Sequence, residues 1–112
     1  MVKYYKTTGL YDKVDLLKFE LAYERGQGYV AKLTPCYLAN GAECRYYCPE
    51  YYEYFGTHTM DLVQSSRRSA KKEAEAIRLI EEEDVINRLI DHYIAYAEHK
   101  GKTIEVIGQL EV

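Results

Sequence analysis

The apolar residues of this 112-residue chain change their spacing once, near residue 65, and that change restricts the fold more than any single motif. A period of two belongs to a strand with one buried face, and a period near 3.6 to a helix with one apolar stripe. Leu17, Phe19, Leu21 and Tyr23 alternate with Lys18, Glu20, Ala22 and Glu24, so residues 14–24 read as a strand. Arg25-Gly26-Gln27-Gly28 follows, with two residues free to take the positive φ of a tight turn. Residues 29–38 form a second apolar run, and Pro35 inside it places this strand at an edge or bends it. Asn40-Gly41 is the strongest local signal, a type I′ hairpin into residues 43–47. Residues 50–55 fit a strand or an ordered loop. His58, Met60 and Leu62 alternate with Thr57, Thr59, Asp61 and Val63 as a further strand, and residues 1–7 read as a short one.

Beyond Ser65, Ala70, Ala74, Ile77 and Ile80 line a helix over about 67–81, with Ser66 or Ser69 as its N-cap. Ile86, Leu89, Ile90, Tyr93, Ile94 and Ala97 line a second helix over 84–99, ending at Gly101. At about 100° per residue the two stripes differ by roughly half a turn, so one straight helix would bury opposite faces at its ends. The run Glu81-Glu82-Glu83-Asp84 is unfavourable at a helix C-terminus and favourable at an N-terminus, which places a break near 81–84. Ile104, Val106, Leu110 and Val112 then oppose Thr103, Glu105, Gln109 and Glu111 in a C-terminal strand over 103–112, with Gly108 marking a bulge. The length fits one domain. The order predicts an α+β fold: a mainly antiparallel sheet of four to five strands, two consecutive helices on one face, and a C-terminal strand.

Composition narrows the function classes. A hydrophobic share of 47% excludes a disordered chain, and 29% charged residues with no run of ~18 apolar residues exclude a membrane span. A net charge of −3 argues against a general nucleic-acid coat, because duplex affinity is mostly phosphate neutralisation. Residues 1–13 lack the apolar core of a signal peptide, and three cysteines are an odd number for a disulfide framework. The expectation is an intracellular, cytoplasmic protein with reduced thiols.

No P-loop, GxGxxG, HExxH, GxSxG or EF-hand pattern is present. Cys36, Cys44 and Cys48 with His58 superficially suggest zinc, but an extended Cys44–Cys48 segment spans ~13 Å, too far for one ion. His92 and His99 lie two turns apart on the second helix and, with Arg88 and Tyr96, form the face opposite its apolar stripe. No catalytic residue, metal or cofactor is expected. Arg67, Arg68, Lys71 and Lys72 form the one dense basic cluster. Cations oppose the macrodipole at a helix start, so the cluster makes sense where an anion binds beside free N–H groups, Ser65, Ser66 and Ser69. The run Ser69-Ala70-Lys71-Lys72-Glu73-Ala74 resembles slightly the helix start of double-stranded-RNA-binding domains and of the arm-binding domains of tyrosine integrases. The resemblance implies nucleic-acid binding but is confined to that run, and the flanking glycines of the RNA-binding pattern are missing.

Tyr46, Tyr47, Glu50, Tyr51, Tyr52, Glu53, Tyr54 and Phe55 crowd more aromatic area into ten residues than one strand face buries. Tyrosine favours interfaces, and residues 43–61 carry a net −3. The leading expectation is therefore a non-enzymatic interaction module that binds a protein with a basic surface through this tyrosine-rich acidic segment. Its size and acidity suit a regulator or inhibitor, including an accessory of a phage or other mobile element. The alternative is a nucleic-acid-binding domain that uses residues 67–72.

Overall fold

The computed structural model describes residues 1–7, 15–39, 42–45, 56–101 and 103–110. Strands form where the alternation predicts them: β1 Val2–Thr7, β2 Asp15–Glu24, β3 Gly28–Ala39, β4 Ala42–Arg45 and β5 His58–Gln64. Two helices follow, α1 Ala70–Glu82 and α2 Val85–His99, and then β6 Val106–Leu110. All pairings are antiparallel, in the order β4-β3-β2-β1-β6, with β5 also on β3. The fold is α+β, with the helices on one face of the sheet.

The longest strand, β3, organises the rest. One edge pairs with β2 from Tyr37↔Asp15 to Gly28↔Glu24. Its other edge is divided: Gly28–Leu33 pair with β5, and Cys36–Ala39 with β4. Thr34 and Pro35 fall between these two pairings, so the proline, with no N–H to give, sits where β3 has no second strand neighbour among the described residues. Thr34 Oγ1 and Thr57 Oγ1 meet there at 3.3 Å. Ala39 pairs with Ala42, and the Asn40-Gly41 turn expected between them lies outside the described residues.

Strand parity decides what is buried. Leu17 and Phe19 of β2 and Ala31 and Leu33 of β3 face the helices and pack with Ile80, Val85, Leu89, Ile90, Tyr93, Ala97 and Ile104. A smaller cluster of Tyr29, Val63 and Ala76 closes the core where α1 begins its passage over the sheet. The opposite parity is charged, with ion pairs Lys18–Glu20 and Lys32–Glu24, although Leu16 and Cys36 are buried cross-strand partners on that face.

Three local expectations need correction. The first helix begins at Ala70 instead of about 67, because Ser69 is extended and its side chain accepts from the Lys72 N–H. The break falls at Asp84, the one non-glycine residue of positive φ among those described (51°) and the N-cap of α2, but the three glutamates before it do not open α2. Glu81 and Glu82 finish α1 and Glu83 caps it, and α2 has no acid in its first turn. Burial sets the break instead. Ile80 and Val85 both enter the core, and in one straight helix they would point about 140° apart. The last strand starts at Val106 instead of 103 and changes face. Lys6↔Gly108 and Thr7↔Val106 leave Ile107 as the extra residue of a bulge beside Gly108, so Val106 meets the core while Leu110 pairs with Tyr4 on the other side.

Candidate functional site

The β2–β3 hairpin ends in two tyrosines, Tyr23 and Tyr29, that are cross-strand partners with ring centres 5.2 Å apart. Between them the turn is tight, and Gly28 has a φ of +135°. A Cβ there would run into the Val63 carbonyl of β5, so this glycine lets β5 and the following loop lie against the hairpin. That loop, residues 65–69, is fastened at both ends. At its start the Ser65 N–H donates to the Gln27 carbonyl at 3.1 Å, and the Tyr23 hydroxyl donates to the Ser65 carbonyl at 3.3 Å. At its end the Tyr29 hydroxyl accepts from the Ser69 N–H at 2.9 Å and donates to the Ser69 carbonyl at 3.1 Å. The Ser65 hydroxyl also bonds the Arg67 carbonyl within the loop. Ser66, Arg67 and Arg68 are thereby held as a short arch over the tyrosines.

The arch gathers charge. Tyr23, Arg25, Ser66, Arg67 and Arg68 line a shallow cleft of 390 Å³. Arg68 lies over the Tyr23 ring at 5.5 Å, a cation–π contact that positions the guanidinium and leaves it charged. Lys71 and Lys72 continue the basic surface along the first turn of α1, and all four expected cations are exposed. Lys72 is 4.0 Å from Glu75, and neither Arg67 nor Lys71 makes an ion pair among the described residues. Arg25 is the member that the sequence reading missed. It is 42 positions from Arg67, but it stands in a turn bounded by two tyrosines, and that symmetry is the signal that could have found it. A neighbouring hollow of 440 Å³ shares Tyr23 and Arg68, while Glu73 opposes them there. Another, of 540 Å³, has Asp61 as its charged lining residue, which makes it unsuited to an anion.

The expected partner-binding residues Tyr46, Tyr47, Glu50, Tyr51, Tyr52, Glu53, Tyr54 and Phe55 lie outside the described residues. Cys36 and His58 occupy opposite parities of the sheet: Cys36 pairs with Leu16, and His58 pairs with Leu33 on the helix side. His58 instead meets a residue placed on a plain outer face. Its Nδ1 is 2.9 Å from His92 Nδ1 on α2, and its ring stands edge-on to Tyr93 and Tyr96, each at 5.3 Å. Burial, and secondly the neighbouring His92, lower the His58 pKa below the ordinary 6.5.

Among the described residues no helix is long and apolar enough to cross a membrane, and no group of three or more His, Cys, Asp or Glu residues is arranged around a common metal position. The chain matches no known protein family, no curated protein and no solved structure, so its site is read from its own geometry.

Proposed function

We propose that this protein is a non-enzymatic binding module that holds the phosphate backbone of a nucleic acid against the cleft of Tyr23, Arg25, Arg67 and Arg68 and its extension, Lys71 and Lys72. One observation carries the reading: cations from two distant segments are brought around a tyrosine on a loop fastened at both ends. Such a site attracts phosphates without sequence preference, and the aromatic ring suits a single strand better than a duplex. The acidity of the rest of the chain confines the interaction to this patch. The same reading goes with a reducing, intracellular compartment, as three cysteines, an odd number, suggest.

Labelled single- and double-stranded oligonucleotides, titrated by fluorescence anisotropy over a range of salt, test the proposal. Three to four contacted phosphates of a single strand give a slope of log K against log salt between about −2 and −3. Charge reversal at Arg67 and Arg68 together should abolish binding. No detectable binding of either oligonucleotide at low salt would refute it.

A second reading rests on residues 43–61, where tyrosines and a net −3 suit a protein partner with a basic surface. In it the chain is a regulator or inhibitor, such as an accessory of a mobile element. Alanine at Tyr47, Tyr51, Tyr52 and Tyr54 should then remove binding to a basic protein partner while leaving oligonucleotide binding intact. Unchanged protein binding would count against this reading.

A further inference from the structure

We infer that His58 and His92 form a one-proton latch between β5 and α2, in which a single shared proton joins the two elements and a second one parts them. The Nδ1 atoms are 2.9 Å apart and the ring centres 5.0 Å apart. The two rings themselves take up nearly all of the difference, so both nitrogens lie close to the line between the ring centres. Each in-plane lone-pair direction therefore points at the opposite nitrogen. Two ligands of one metal ion would converge to the side of that line. Here a hydrogen fits between them.

The bond needs one Nδ1 protonated and the other bare. An uncharged pair satisfies this, and so does a pair with one added proton, which makes the bond charge-assisted. Two added protons set two N–H groups and two positive charges against each other, and the bond is lost. The surroundings discourage that state. From α2, Tyr93 and Tyr96 wall His58, and the Lys100 ammonium lies 5.8 Å over the Tyr96 ring. Arg88, one turn before His92, adds a further cation, 3.5 Å from Glu83. From β3 the residue opposite His58 is Leu33, and Met60 follows on the same face of β5. Among the described residues, no carboxylate forms an ion pair with either imidazole. The reluctance of His58 to charge agrees with this geometry. Acidification thus turns a bond between β5 and α2 into a repulsion, at the end of β5 opposite the basic cleft.

Imidazole NMR of the full chain across the histidine range tests the latch. At the basic end one ring of the pair should be the Nδ1–H tautomer and the other Nε2–H. On acidification the pair should titrate in two steps more than about one pH unit apart, and amide signals of β5 and α2 should move with the second step. His58→Gln and His92→Gln should each leave a single step, and in His92→Gln the His58 step should shift upward. Two Nε2–H tautomers in the wild-type chain would overturn the inference, even where a variant fails to fold. So would a single step for both rings, unchanged in either variant. A melting midpoint raised by zinc or nickel chloride in the wild type alone would mark a metal site instead, and would also overturn it.

Discussion

At the residue scale, Tyr29 links the core to the arch. Its ring belongs to the buried cluster with Val63 and Ala76, while its hydroxyl satisfies both backbone groups of Ser69. Tyr29→Phe keeps the packing and takes away the partner of the Ser69 N–H, while the Ser69 carbonyl still accepts the Glu73 N–H, so it should cost about 1–3 kcal/mol in urea unfolding and loosen the arch. A cost under a few tenths of a kcal/mol would show that water replaces the hydroxyl. Two glycines of the same turn should separate sharply. Gly28→Ala meets both a positive φ and the Val63 carbonyl, whereas Gly26, with φ 80°, has open space around it. The first should lose at least about 2–3 kcal/mol and the second about 1 kcal/mol. The neutral His58 adds a pH dependence. Because its folded pKa lies below 6.5, the unfolded chain takes up the proton first as pH falls. Its contribution is fully present above about pH 6.5 and is lost as pH falls through the folded value. The urea midpoint should therefore fall less steeply from about pH 7.5 to 5 in His58→Gln than in the wild type.

Elements were legible where local chemistry and burial agree. Leu17, Phe19, Leu21 and Tyr23 announce β2 because their face is the helix-covered face, and Gly101 (φ 81°) ends α2 because nothing else competes for that conformation. The errors arose where a long-range partner outweighs a local signal. Ser66 is as good a cap by type as Ser69, but only Ser69 is pinned by Tyr29, 40 residues away. The acids at 81–84 read as a helix start by their dipole. The core's demand for both Ile80 and Val85 left Glu81, Glu82 and Glu83 at the end of α1, where Arg78 and Arg88 approach Glu82 and Glu83 at 3.7 and 3.5 Å, and only Asp84 at the start of α2. Ser69→Ala should cost about 1 kcal/mol, the usual value of an N-cap. Asp84 accepts the Arg88 N–H through its backbone carbonyl and caps α2 with no side-chain bond to the helix N–H groups. Asp84→Gly should therefore change stability by less than about 0.5 kcal/mol, while Asp84→Val, β-branched at a positive φ, should lose about 1–2 kcal/mol. Thermal melts of the two variants check the contrast.

For the whole molecule, the sheet sorts charge as well as apolar area. Four residues of the candidate site were visible in sequence, since Arg67, Arg68, Lys71 and Lys72 cluster within six positions at the start of α1 or just before it. Arg25 and the His58–His92 pair were not, because strand pairing and helix docking, not spacing, bring them to their neighbours. The central claim is that the hairpin turn and the arch form one anion site, so Arg25 is the residue that tests it most directly. Anisotropy titrations of a labelled single strand should compare Arg25→Glu with Arg78→Glu, an equal change of net charge on α1 beside Glu82 and outside the cleft lining. The account predicts that Arg25→Glu weakens binding by at least about ten-fold and flattens the salt slope, while Arg78→Glu stays within about two-fold of the wild type. Equal affinities for the two variants would contradict it.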